Sequence, residues 1–205
     1  MPNFLPVYIY IVSHIVYYCT GNLVISVWMM FILNPVINSF YKKGEDETPN
    51  IPKHLERKYT EDKRFLIPLY LYLFVDTLTQ IWSLIIVSDV IHIDHPLFTN
   101  KMGDNYLRWF AFIFVWGYSC GIGGLAGHEL IHKKESIHKF FGTYQFSRFL
   151  YGHFLMEHIS GHHKKLATIE DPATPRLGDN LYTFCIRSAV VGYTNTVKRE
   201  FERVN

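Results

Sequence analysis

The first 41 residues of this chain contain no Lys, Arg, Asp or Glu. A long uncharged apolar run limits the fold more than any other feature here. As one helix, residues 4–40 would reach about 55 Å, well beyond a hydrocarbon core of about 30 Å. The break at Thr20-Gly21-Asn22 instead predicts two short spans, 4–20 and 22–40. Two further apolar stretches follow, 65–88 and 107–127. Asp76 is the one charge within the third stretch, and the cost of burying it predicts that it faces other helices rather than lipid. The chain is 49% hydrophobic and 17% aromatic, with its charge gathered between these stretches. The expected fold is therefore all-α, a polytopic membrane helix bundle of about four spans, as a single domain over 1–205.

Charge placement orients the bundle. Residues 41–64 hold seven basic residues, residues 89–107 hold Lys101 alone, and eleven basic residues follow His128. The excess of Lys and Arg on cytoplasmic loops places the first and last of these regions inside, with two spans between them. A net charge of +2 gives no reason to expect a nucleic-acid partner. The uncharged start excludes a typical secretory signal, which needs a basic beginning. Cys19, Cys120 and Cys185 are widely spaced and odd in number, so they read as buried apolar residues rather than a disulfide framework. Gly123 and Gly127 supply a small-residue spacing that lets another helix approach closely. Phe140, Tyr144, Ser147, Tyr151, Phe154 and His158 form an aromatic stripe at helical spacing, although Arg148 argues against a plain span. Gly161 and Asp171-Pro172 predict an end to regular helix, and residues 179–205 form a mixed tail.

Two histidine clusters carry the chemistry, GHELIHKK at 127–134 and MEHISGHHKK at 156–165. Residues four apart on a helix share a face, so His128 and His132 can grip one ion. His158 and His162 repeat that spacing, and His163 follows directly. His128-Glu129-Leu130-Ile131-His132 also matches HExxH, in which two histidines bind zinc and the glutamate activates water. A zinc protease needs one more ligand and an open position, whereas the second cluster offers three more imidazoles. The soluble di-iron bundles need a second Glu-x-x-His, and after Glu157 this chain has Ser160 where that histidine would stand. Imidazole alone does not choose among iron, copper, zinc and nickel. A histidine-rich centre beneath an aromatic-rich bundle suits a lipid-like substrate, and unactivated C–H bonds require a redox metal and dioxygen. Glu129, Glu157 and Asp171 are candidates to orient the ligating imidazoles through their second ring nitrogen. His153 is off the face of His158 and reads as a packed residue.

HELIHKK followed by YGHFLMEHISGHHKKLATIEDPA resembles the first two histidine boxes of the integral-membrane alkane hydroxylases, a family that includes the xylene monooxygenases. GEDETPN at 44–50 is similar to the loop after their second span. The resemblance runs from about residue 20 onward and is most specific at 127–176. It implies iron, two ions in the complete family site, with His128, His132, His158, His162 and His163 among the ligands. It also implies hydroxylation of the terminal methyl of an alkane or similar chain, using O2 and electrons from rubredoxin. The setting would be a bacterial inner membrane or an organelle membrane, with the metal site on the cytoplasmic side. The family carries a further histidine box downstream, and no histidine follows His163 in this chain. The expectation is thus an incomplete membrane domain that alone holds iron weakly and does not turn over. A membrane zinc protease and a non-catalytic metal-binding remnant are the alternatives.

Overall fold

The computed structural model describes residues 61–88 and 103–205, with isolated positions between 12 and 58. Every regular element among the described residues is helical, with no strand, as an all-α fold requires. Apart from isolated positions, the expected spans 4–20 and 22–40 lie outside the described residues. The chain divides into two compact units, Met1–Gly123 and Gly124–Asn205.

In the first unit a 3₁₀ turn, Lys63–Phe65, leads into helix α1, Leu66–Ser88. Asp62 opens the turn by accepting a hydrogen bond from the Arg64 N–H at 2.9 Å. Helix α1 has its polarity turned inside out. Tyr72, Asp76 and Ser83 are buried, while Ile67, Phe74, Leu78, Ile81 and Leu84 are exposed. Helix α2, Tyr106–Ile131, starts at Asn105, whose side chain accepts from the Leu107 and Arg108 N–H groups at 3.1 and 3.2 Å. Tyr72 OH donates to the Ser119 carbonyl at 2.8 Å, tying α1 to α2. Ile86 and Phe112 pack together with Trp82 and Trp109. Lys63–Ser88 and Tyr106–Ile131 are both long and apolar enough to cross a membrane. An apolar outward face over a buried carboxyl is consistent with a membrane protein.

The second unit holds the last turns of α2 and helix α3, Ser136–Ser147. It continues with helix α4, built from the contiguous segments Phe154–Met156, Glu157–His162 and His163–Lys165. Helix α5, Leu181–Val204, completes it. Helices α2 and α3 touch where glycine removes the side chain from both. A Cβ on Gly142 would lie 2.6 Å from Ile131 Cγ2 and 2.7 Å from the Gly127 carbonyl oxygen. One on Gly127 would lie 3.2 Å from Gln145 Cβ. This contact buries Leu130, Ile131, Gln145 and Phe146. It also explains why the inward face of α3 is Gly142, Gln145 and Phe146 rather than the expected aromatic stripe, with Phe140 left exposed. At 12 residues α3 is too short to cross a bilayer. Arg148 beyond its end donates to Gln145 Oε1 at 2.8 Å.

The stripe is broken where α3 ends. Leu150 N–H donates to Ser147 O at 3.0 Å and Tyr151 N–H to Phe146 O at 2.9 Å, with Leu150 at φ 62°. These are the paired bonds of a Schellman stop, and the Tyr151 and Phe146 rings meet across it at 6.3 Å. The chain reverses there and delivers Phe154 onto Phe146, ring centroids 4.2 Å apart. Asn180 caps α5 by accepting from the Thr183 N–H at 3.0 Å, so the mixed tail is a 24-residue helix.

Gly142→Ala should lower stability by roughly 1–3 kcal/mol, because the added methyl meets backbone that has no room to yield. Leu150→Gly should raise it by about 1 kcal/mol, since the exposed leucine adopts a left-handed backbone without packing in return. Denaturant unfolding in detergent measures both, and a neutral Gly142→Ala would contradict the close crossing.

Candidate metal centre

His128 lies in the last turn of α2 and His132 just beyond it, four residues apart, with both rings on one side. Helix α4 does something different from what its spacing suggests. Glu157–His162 is wound as a π-helix, and the His163 N–H donates to the carbonyl of His158, five residues back. In an α-helix the fourth residue along returns nearest to the same face, whereas a π turn brings back the fifth. His158 is therefore partnered by His163 and not, as its four-residue spacing predicts, by His162. The His162 ring stacks alongside that of His158, centroids 5.4 Å apart at 20°, and its Nδ1 donates to Asp171 Oδ2 at 2.8 Å.

Three Nε2 atoms meet in one place, those of His128, His132 and His158, and a fourth lies beside one of them. His128 and His158 are 2.8 Å apart, His132 and His158 3.0 Å, and His132 and His128 3.2 Å. His163 Nε2 lies 3.1 Å from that of His158. Hydrogen bonding does not account for this cluster. A ring nitrogen carries either a proton or a lone pair, so three mutually adjacent nitrogens always include at least one pair of the same kind. Three neighbours would also have to share the single lone pair of His158. A cation between His128, His132 and His158 satisfies all three nitrogens at once. Two nitrogens about 2.1 Å from an ion are about 3.0 Å apart at right angles and about 3.4 Å apart at the tetrahedral angle. The observed spacing matches ligands at right angles.

No protein-family model matches the chain. Curated relatives do. The chain is 32% identical over 170 residues to an alkane 1-monooxygenase of Pseudomonas putida, covering 81% of this chain. It is 31% identical over 179 residues to alkane 1-monooxygenase 1 of Alcanivorax borkumensis, covering 87% of this chain. An alkane 1-monooxygenase of Ectopseudomonas oleovorans is 31% identical over 166 residues. The chain belongs to the alkane hydroxylase family. The matched regions amount to 37%, 40% and 37% of the relatives' own lengths, so this alkane hydroxylase chain spans well under half of each.

Around these histidines the three candidate carboxylates have separate surroundings. Asp171 is buried and accepts from His162 Nδ1, from Thr174 Oγ1 at 2.5 Å and from the Ala173 N–H at 3.0 Å. Burial pushes its carboxyl upward, but these hydrogen bonds prevail and hold it below the ordinary carboxylate range. Its bond to Nδ1 leaves the His162 lone pair on Nε2. Glu129 Oε1 is 3.7 Å from His128 Nδ1, on the side of the ring away from the cluster, and its side chain is 59% exposed. Glu157 faces no histidine at all. Its Oε2 lies 3.3 Å from Arg199 Nη1 on α5, and burial raises its carboxyl despite that guanidinium and the nearby Asn195. His153 packs between the rings of Tyr151 and Tyr193 at 4.5 and 5.2 Å, apart from the Nε2 cluster.

Sequence reasoning missed the π turn and both α5 arginines that serve this region. Arg187 donates to Asp179 Oδ2 at 2.5 Å and to the carbonyls of Pro172 and Thr174, holding the segment that carries Asp171. The available signals were the adjacent His162-His163 pair, which offers both a four- and a five-residue partner to His158, and the glycine between.

Burial, followed by the neighbouring imidazoles, depresses His158 to about 3, and His132 is lowered for the same reasons. An unfolded chain takes up a proton at His158 near 6.5, and the folded chain does not do so until about 3. Within that window the unfolded state binds more protons, so stability falls as pH falls. Metal-free protein should melt at a lower temperature at pH 4.5 than at pH 7, and His158→Gln should flatten the dependence. An unchanged slope in that variant would contradict a neutral, buried His158.

Proposed function

We propose that this alkane hydroxylase is a multi-pass membrane non-haem di-iron monooxygenase acting on the terminal methyl of an alkane or similar hydrocarbon chain. The observation that carries the reading is the convergence of the His128, His132 and His158 Nε2 atoms with right-angle spacing, with His163 Nε2 beside that of His158. That arrangement favours a six-coordinate ion such as iron over tetrahedral zinc. His128, His132, His158 and His163 would hold one iron. His162, its Nδ1 fixed by Asp171, would direct Nε2 to the second. Phe154 lies parallel to His158, ring centroids 4.7 Å apart at 18°, and 6.4 Å from His128. It gives the centre an apolar wall on one side that suits a hydrocarbon.

Bound iron supplies dioxygen activation, in the overall reaction R–CH3 + O2 + two electrons + two protons → R–CH2OH + H2O. The electrons would come from a rubredoxin-type donor on the cytoplasmic side, the side that the basic residues after His128 favour for the centre. The substrate would enter from the bilayer crossed by α1, α2 and the two apolar stretches before them. The HExxH protease reading is not favoured. Its glutamate must stand beside a metal-bound water, and Glu129 lies beyond the opposite edge of the His128 ring.

Membranes carrying the intact gene product, given NADH, rubredoxin, its reductase and an n-alkane under 18O2, should release labelled 1-alkanol. His132→Ala should reduce this at least about a hundredfold, as loss of a metal ligand does more than loss of its outer partner. Unlabelled alcohol, or full activity in that variant, would contradict the proposal.

A further inference from the structure

π turns are rare, and one within a helix calls for something that holds it. Here the holding contact comes from α5. Glu157, first residue of the π turn, is 8% exposed, and its carboxylate faces Arg199 at 3.3 Å. The pair fits because residue 161 has no side chain. A Cβ on Gly161 would lie 2.6 Å from Glu157 Oε1 and 3.0 Å from Arg199 Nη1. Gly192 on α5 gives matching space, its Cβ position 3.4 Å from Glu157 Cγ. The carboxylate is thus lodged between α4 and α5, in the notch beside the residue four ahead of it. A buried carboxylate that loses its guanidinium is strongly disfavoured, so this contact has the strength to dictate local winding.

The winding matters because it decides which histidine faces the cluster. If Glu157–His162 relaxed to an ordinary α-helix, His162 would come round to the face of His158, and His163 would turn away. The hydrogen bond from His162 to Asp171 would be lost in the same movement. We propose that the Glu157–Arg199 pair, seated against Gly161, is a positioning device that keeps α4 in its π register and thereby selects His163 over His162 as the partner of His158. This rests on the reading of the histidine cluster as a metal centre.

Titration with Co(II) alone, followed by its visible absorption in detergent-solubilised protein, tests the proposal without any assay of activity. Circular dichroism checks helicity in each variant. With Arg199 present, His163→Ala should weaken binding of the first Co(II) by about tenfold or more, and by more than His162→Ala. In an Arg199→Met background that order should reverse, and Arg199→Lys should restore it. Gly161→Ala should produce the same reversal without removing a charge, by driving the carboxylate from its notch. If His163→Ala remains the costlier change in both backgrounds with helicity retained, the register device is overturned while the metal centre stands. A parent protein that binds no Co(II) overturns the metal centre and the device together.

Discussion

Three imidazole nitrogens held about 3 Å from one another, those of His128, His132 and His158, are uncomfortable neighbours unless a cation stands between them. The rest of the second unit can be understood as the means of imposing that arrangement. Burial and mutual proximity keep His158 neutral far below its ordinary range, so its Nε2 stays available to a metal. The histidines come from two helices that have to be brought together edge to edge. Glycines at 127 and 142 bring α2 and α3 into close contact, and the Schellman stop after α3 turns the chain back so that α4 runs beside α2. Phe146 and Phe154 then stack, which fixes the first turn of α4 and with it the position of His158.

A second layer, supplied by α5 and the segment before it, controls the individual rings. Arg187 holds the segment around Pro172 and Thr174, Asp171 in that segment holds His162, and Arg199 faces Glu157 next to His158. None of these residues touches the Nε2 cluster. Their effect is on orientation, since an imidazole whose second nitrogen is fixed has one tautomer and a restricted range of ring angles. Helix α5 thus contributes to the chemistry of a site to which it gives no ligand.

Much of this was legible in the residues. HELIH placed two imidazoles on one helical face because the four-residue spacing of an α-helix is enforced by its hydrogen bonds. EHISGHH marked the second group, and its flanks carried the family resemblance that the relatives bear out. What the spacing did not reveal was the winding of α4. His158-x-x-x-His162 reads as an α-helical pair, and only the buried contact of Glu157 with Arg199, 42 residues further along the chain, accompanies the five-residue pairing. Gly161 read as a helix terminator because glycine is conformationally free, yet its role here is steric, making room for a carboxylate. The tail from Asp179 looked mixed because the polar residues of α5 face its partners within the unit, while Ile186, Val190 and Phe201 are exposed. The apolar stripe on α3 misled for a similar reason, since its glycine face packs more closely than any aromatic face allows.

The most direct measurement is X-ray absorption at the iron edge of protein loaded anaerobically with one equivalent of Fe(II). Convergent imidazoles on one ion predict a first shell of nitrogen and oxygen at about 2.1 Å with outer-ring scattering from at least three rings. Scattering from two imidazoles or fewer would contradict the convergence of His128, His132 and His158.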